Sequence, residues 1–133
     1  MNRENLNISQ IETYLNSILD GVVSDNTFFT TYPNVSIVKS SDWQDMVLVD
    51  IPNGVRDMDA MGNGTIFVGL YARPLESGRK NVARMSQLEM KLNEVLQNAN
   101  DSRYMLKRED VFSTYDDDID WHCNVVELTL LVL

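Results

Sequence analysis

The spacing of apolar residues predicts a helix near the start of the chain. Apolar side chains recur at steps of three and four residues, the spacing of one buried helix face: Leu6, Ile11, Tyr14, Leu15, Ile18 and Leu19. Ser9 followed by Glu12 matches a capping box, so the helix begins with Ser9 as its N-cap or earlier, near Asn5. Gly21 is suited to end it, because glycine readily adopts the left-handed conformation after a helix.

A second, longer helix is predicted over residues 78–99. Its apolar residues fall within an arc of about 140° at 100° per residue: Val82, Met85, Leu88, Leu92, Val95, Leu96 and Ala99. Polar residues occupy the opposite side: Glu89, Lys91, Asn93 and Glu94. This pattern is typical of a helix packed with one face against a sheet.

Five segments have the composition and alternation of strands, at residues 35–40, 46–51, 65–73, 103–115 and 121–133. The third is apolar on both faces, since Phe67 and Tyr71 alternate with a row of aliphatic residues. This predicts a central strand, or a strand with one face in contact with something else. The fourth has an interruption near residues 108–110. Residues 22–34 lack a regular pattern, and we expect an irregular segment that places Phe28 or Phe29 under the sheet.

The resulting order, α-β-β-β-α-β-β, predicts the fold class. Short turns join most strands, so the sheet should be mainly antiparallel, with the helices packed on one of its faces. We therefore expect a single α+β domain over residues 1–133.

The longest break in the pattern, residues 52–64, is a candidate contact segment. Loops of this length in a compact domain are usually functional or disordered. Val55, Met58 and Met61 lie in it, and exposed methionine suits an adaptable contact surface. Together with Phe67 and Tyr71 of the following strand, they form the predicted protein interface.

The net charge of the chain limits the kinds of molecule that could be its main partner. The chain has 11 Lys and Arg residues against 20 Asp and Glu, a net charge of −9. This balance argues against nucleic acid or an anionic membrane as the main partner, because both are bound by clustered cations. A single cysteine, Cys123, excludes a disulfide within the chain, and neither a secretory signal nor an apolar run of ~20 residues is recognisable. The single cysteine fits a reducing compartment.

No residue pattern predicts catalysis or metal binding. The acidic residues between Asp116 and Asp120 lack the spacing of a calcium loop, so a solvated hairpin turn is favoured. His122 and Cys123 are neighbours on a strand and point to opposite faces, so they are poorly placed to ligate one metal or to form a nucleophilic Cys–His pair. A basic cluster near the start of the second helix could bind an anion, but ion pairs on the helix surface are favoured: Arg79, Lys80 and Arg84. We expect no cofactor, and we do not expect an enzyme.

The order of elements resembles that of the tail-terminator or tail-completion proteins of long-tailed bacteriophages, including prophage copies. The segments that carry the resemblance are the N-terminal IETYLNSILDGVV and the strand–helix–two-strand block TIFVGLYARP, NVARMSQLEMKLNEVLQNA, RYMLKREDVFSTYD and WHCNVVELTLLVL. The resemblance implies a homo-oligomeric ring that caps the tail tube and contacts the head connector. It also implies a location in the bacterial cytoplasm during assembly and in the virion tail afterwards.

Another function class is compatible with the same pattern. A small α+β module could bind a ligand, or regulate another protein, through a pocket between the long helix and the sheet. Four aromatic residues would line that pocket: Phe28, Phe29, Tyr71 and Trp121. An enzyme acting through the acidic turn ranks last.

Overall fold

Within the residues that the structure describes, the sheet has five strands and two helices lie against it. The structure, a computed structural model, describes residues 8–23, 27–29, 43–51 and 63–132. The elements in these ranges are α1 (Ile8–Leu19), β1 (Thr27–Phe29), β2 (Asp45–Asp50), β3 (Asn63–Ala72), α2 (Val82–Gln97), β4 (Tyr104–Asp116) and β5 (Trp121–Val132).

The strand order is β1-β2-β3-β5-β4, which puts β3 at the centre, as its two apolar faces predict. β1 runs parallel to β2, and the other neighbouring pairs are antiparallel. Short connections make this arrangement possible, since β4 and β5 are joined by the turn at residues 117–120. The predicted α+β class, with a mainly antiparallel sheet, is confirmed.

The main core lies between the sheet and the two helices. α1 contributes Ile11, Leu15 and Leu19, and α2 contributes Met85, Leu88 and Leu92. The strands contribute alternate residues, as a face that packs on helices requires: Val47, Val49, Ile66, Val68, Leu70, Ala72, Val126, Leu128, Leu130 and Val132. We call this side of the sheet the helix face and the opposite side the distal face.

The start of α1 differs from one of the two predicted starts. Ser9 lies inside the helix, and its carbonyl oxygen accepts a hydrogen bond from Thr13 Oγ1 at 2.8 Å. The predicted N-cap at Ser9 is therefore wrong, because Ile8 before it is already helical. The alternative start near Asn5 lies outside the described residues.

α2 begins at Val82, four residues later than predicted. Gly78 has φ +84°, a left-handed conformation that belongs to a turn. Asn81 caps the helix, and its side chain accepts the Arg84 backbone N–H at 3.1 Å. Val82, predicted to be buried, is 66% exposed because it directly follows the cap, at one edge of the apolar arc.

The predictions for residues 22–34 and 35–40 have different outcomes. Residues 35–40 lie outside the described part of the chain, so that predicted strand stays a prediction. Residues 27–29 form β1, and the predicted irregular backbone is wrong there. Parallel pairing with β2, which places Thr27 beside Val47, supplies the ladder that a local pattern does not show. The side-chain placement expected for Phe28 and Phe29 lies outside the described residues.

β4 contains a β-bulge where its pattern is interrupted. Arg108 pairs with Leu128 and Val111 pairs with Val126, so Glu109 and Asp110 together oppose the one residue between those partners. The extra residue reverses the alternation of the strand. Leu106 and Val111 consequently both face the helices, and Phe112 turns to the distal face opposite Val125.

The two faces of α2 provide a test of this packing. Leu88 is fully buried, whereas Met90, two residues later, is 61% exposed. We expect Leu88→Ala to lower the free energy of unfolding by ~2–5 kcal/mol, through lost burial and the cavity it leaves. The control Met90→Ala should change it by less than ~0.5 kcal/mol. Urea unfolding followed by circular dichroism measures both, and equal losses would contradict the assigned helix face.

Candidate interaction surface on the distal face

Strand register brings one row of residues together across the distal face. Leu48 of β2 pairs with Gly69 of β3, and Gly69 pairs with Val125 of β5. Val125 in turn pairs with Phe112 of β4. A glycine with larger neighbours on both sides leaves a depression in the middle of the sheet.

The depression is a shallow cavity of about 300 Å³. Residues from four strands line it: Leu48, Asp50, Phe67, Gly69, Tyr71, Phe112, Cys123 and Val125. Phe67 is half-buried, and Phe112 at the side of the cavity is 50% exposed. Half-exposed aromatic rings around an apolar depression are typical of surfaces that contact other molecules.

Gly69 is required by the packing beneath the cavity. A Cβ atom at this position would lie 3.0 Å from Cε1 of Tyr71 and 3.3 Å from Sγ of Cys123. Such distances are tighter than ordinary carbon contacts. The tyrosine ring therefore occupies the space that a side chain at residue 69 would need.

Tyr71 and Cys123 are buried at the floor of the cavity and remain neutral there. The Tyr71 hydroxyl donates a hydrogen bond to Asp116 Oδ2 at 3.1 Å, and its burial raises the pKa of the phenol. Burial, as the largest cause, also raises the pKa of the Cys123 thiol from 9.0 to about 12. A protonated thiol is a weak nucleophile, so this pair is not equipped for covalent chemistry at neutral pH.

A second apolar cluster continues from the cavity towards the β4–β5 turn. It consists of Met46, Leu48, Tyr71, Ile119, Trp121 and Cys123. The Arg73 guanidinium lies 4.8 Å from the centre of the Trp121 ring, and its Nε donates to the Trp43 carbonyl oxygen at 2.8 Å. Arginine stacked on an aromatic face shields the edge of this cluster from water.

The predicted pocket between the long helix and the sheet is not formed by the aromatic residues assigned to it. Tyr71 and Trp121 belong to the distal cluster, on the other side of the sheet from Leu88 and Leu92 of α2. The alternation within β3 and β5 is the reason, because these aromatics have the opposite parity to the aliphatic core residues. Phe28 and Phe29 belong to the segment whose side chains are not described.

The structure brings together two of the five predicted interface residues. Phe67 and Tyr71 both line the cavity, but Tyr71 is largely a packing residue whereas Phe67 is half-buried at the surface. Val55, Met58 and Met61 lie outside the described residues. Sequence reasoning missed Phe112, because only the bulge at residues 109–110 turns that side chain towards the cavity.

The basic cluster near α2 is largely engaged within the protein. Arg84 Nε donates to the buried carboxylate of Asp45 at 2.6 Å. Lys80 Nζ donates to Oδ1 of the buried Asn124 at 2.7 Å. Ion pairing was the favoured interpretation, but the carboxylate partner of Arg84 comes from β2 and not from the helix surface.

Asn124 is at the centre of a polar network on the helix face. Its Oδ1 also accepts a hydrogen bond from Ser113 Oγ at 2.6 Å, and its Nδ2 donates to Glu89 Oε1 at 2.7 Å. Every polar atom of this buried amide side chain has a partner, which is what burial of a polar group requires. The network is therefore a packing feature that joins α2, β4 and β5.

The acidic turn is organised by its own hydrogen bonds. Asp116 Oδ1 accepts the Asp118 backbone N–H at 3.0 Å, and Tyr115 donates to Asp120 Oδ1 at 3.3 Å. Asp120 has φ +58°, a conformation that aspartate tolerates in tight turns. In the parts of the chain that the structure describes, no group of three or more His, Cys, Asp or Glu side chains is placed to hold a metal ion.

None of the helices within the described ranges is long and apolar enough to cross a membrane. The sequence matches no protein-family model and no curated protein. The geometry of the described residues and the resemblance in element order are therefore the basis for a proposal.

Burial of Cys123 predicts a pH dependence of stability. The folded state favours the neutral thiol up to about pH 12, whereas the unfolded thiol ionises near 9.0. The contribution to stability is complete below pH 9 and is lost as the pH rises towards 12. Cys123→Ala should remove about 1 kcal/mol of the decline between about pH 8 and about pH 10.

Urea unfolding of both proteins across this range measures the effect. Tyr14 and Tyr71 add to the decline at higher pH in both proteins, since burial raises the pKa of each phenol. Because Cys123 itself helps to raise the pKa of Tyr71, the difference between the two curves reports the thiol at the lower end of this range, where the phenols stay protonated. Parallel curves would show that the thiol does not titrate differently in the folded and unfolded states.

Proposed function

We propose that the protein is a structural assembly factor that forms a homo-oligomeric ring, of the tail-terminator or tail-completion type, at the tail–head junction of a long-tailed phage. The observation that carries the proposal is the distal face, where Phe67 and Phe112 surround a shallow apolar cavity. In this proposal the protein acts by contact, is not an enzyme and needs no cofactor.

The energetics of the distal face support association. Half of the Phe112 surface is exposed to water, although the chain has enough charged residues, 23%, to cover its surface with polar groups. Completing the burial of such a ring stabilises a contact by roughly 1–2 kcal/mol. Val125 and Phe67 add partly buried apolar area beside it, so one partner surface can cover all three residues.

The chemistry of the cavity favours binding of another protein over catalysis of a reaction. The two titratable groups at its floor, Tyr71 and Cys123, are both held neutral by burial. Asp50 lines the cavity as well, at the end of β2. A rigid floor on central strands with aromatic rings at its sides is suited to receive a side chain of another protein.

A ring requires that two different surfaces of the same protein fit each other, with a rotation that closes. The proposed partners are further copies of this chain, the tail-tube protein and the head connector. The net charge of −9 would favour basic patches on those partners. Assembly would take place in the cytoplasm of the bacterial host, before the ring becomes part of the virion tail.

Two measurements test this proposal. Analytical ultracentrifugation from micromolar to millimolar protein should show reversible association to a closed oligomer of defined size. Electron microscopy with purified tail tubes should show the protein at one end of each tube. A strict monomer that leaves the tubes unlabelled would overturn the proposal.

A pair of substitutions tests the distal face directly. Phe112 of β4 is on the distal face, whereas Met90 of α2, 61% exposed, lies on the other side of the sheet. We expect Phe112→Ser to weaken association about tenfold or more, because each ~1.4 kcal/mol of lost burial is a factor of ten. Met90→Ser is the matched control and should leave association within about threefold.

Sedimentation equilibrium measures both association constants, and the melting temperature of each variant reports its folding. Equal weakening by the two substitutions would exclude the distal face as the contact surface. Unchanged association in both variants would lead to the same conclusion.

A second candidate function is favoured by the size of the cavity. A volume of about 300 Å³ is at the lower end of the range for small-molecule sites, and its floor is apolar. The protein would then be a ligand-binding or regulatory module, with its ligand on the distal face. A thermal-shift screen with small apolar compounds should raise the melting temperature of the wild type more than that of Phe112→Ser, which lacks one side of the cavity. The absence of any stabilising compound would count against this candidate.

A further inference from the structure

An open groove of about 610 Å³ lies between the C-terminal half of α2 and the first half of β4. Leu96 and Met105 contribute apolar surface to it, and Asn93 and Gln97 contribute amides. The two cations of the groove are consecutive residues of β4, Lys107 and Arg108.

The two cations lie on either side of the same strand. Arg108 is on the helix face and donates a hydrogen bond to the side-chain oxygen of Asn93. Lys107 is on the distal face, where its side chain is 74% exposed and its Nζ lies 3.9 Å from Glu109 Oε1. An ion pair this long and exposed contributes little, so the ammonium can change partners at small cost.

The opposite end of the β4–β5 hairpin has the opposite charge. Asp116 and Asp120 accept hydrogen bonds from the two tyrosines of this region. Asp117 and Asp118, between them, are exposed at the tip of the turn. The eight residues of β4 at positions 109–116 separate Arg108 from the tip, a distance of roughly 30 Å at about 3.3 Å per residue.

We propose that the acidic turn of one copy docks into the groove of the next copy, so that Asp117 and Asp118 pair with Lys107 and Arg108. This interface rests on the proposed homo-oligomer and specifies how its copies are joined. The two surfaces differ and lie at opposite ends of one hairpin, which makes the contact heterologous. Contacts of this kind continue from copy to copy and form a ring when the rotation closes.

Charge complementarity favours a second copy as the occupant of the groove. The turn is a rigid projection, since the backbone of residue 118 and the side chain of Asp120 are both held by hydrogen bonds. A preorganised turn loses little entropy on docking. The whole chain has a net charge of −9, so the copies repel one another except where such a local match exists.

A charge-reversal exchange tests the interface. One variant combines Lys107→Glu with Arg108→Glu, and the other combines Asp117→Lys with Asp118→Lys. In each variant alone, the turn of one copy and the groove of the next carry charges of the same sign. Each variant should therefore associate at least tenfold more weakly than the wild type. An equimolar mixture should recover wild-type association, because the reversed turn of one fits the reversed groove of the other.

The matched control is a variant with Arg79→Glu and Lys91→Glu. It makes the same change in net charge as the Lys107→Glu, Arg108→Glu variant, at two exposed positions that do not line the groove. Its association should stay within about threefold of the wild type. Raising the salt concentration from about 0.05 M to about 0.5 M should weaken the wild type and abolish the difference between the mixture and its separate components.

The outcomes separate this inference from the proposed function. Recovery in the mixture, with the control unaffected, supports the docked turn. A wild type that associates while neither reversal weakens it, or a mixture that does not recover, overturns the docked turn and leaves the homo-oligomer standing. A wild type that stays monomeric at all concentrations overturns the homo-oligomer itself. Circular dichroism of each variant confirms that the comparison is made between folded proteins.

Discussion

The antiparallel pairing of β3 with β5 is the interaction on which the other features depend. Ten consecutive pairs, from Asn63 with Leu131 to Ala72 with His122, hold the two strands in one register. This register gives the helices a continuous aliphatic surface and sets Gly69 beside Val125 on the other side. A slip of one residue would exchange the two faces, bringing Phe67 and Tyr71 under the helices and exposing Ile66 and Val68.

The polar network around Asn124 adds specificity to this packing. An aliphatic residue at this position would also fit the helix face, which is apolar at Val126 and Leu128. The amide needs Lys80, Glu89 and Ser113 at the same time, and any other position of α2 would leave buried polar atoms without partners. The network therefore fixes where the first turns of α2 lie on the sheet, whereas the aliphatic contacts would tolerate small shifts.

Helices and strands with a long, regular alternation of apolar and polar residues could be predicted from the sequence. The central position of β3 followed from its apolar residues on both faces, and the core face of α2 followed from Met85, Leu88 and Leu92. β1 could not be predicted, because a three-residue strand is stabilised by its parallel neighbour and not by a local pattern. The predicted N-cap at Ser9 was wrong because Ile8 is already helical, so Ser9 lies within the helix and does not cap it.

The candidate surface was predicted only in part. Phe67 and Tyr71 were assigned to the correct face, but the sequence does not distinguish the half-buried ring from the one packed over Gly69. Phe112 could not be assigned at all, because its direction depends on how two consecutive acidic residues upstream are accommodated in the strand. That outcome is decided by pairing with β5, which is a long-range property.

The bulge at Glu109 and Asp110 has a consequence for how this surface could change during evolution. The extra residue is accommodated within the strand, so Val111 and Phe112 keep their partners Val126 and Val125 on β5. Loss of Glu109 or Asp110 would restore a regular ladder between Arg108 and Val111, and Phe112 would stay on the distal face. Pairing with β5 fixes the direction of the aromatic ring, so the gene could lose this single codon while the protein kept the surface.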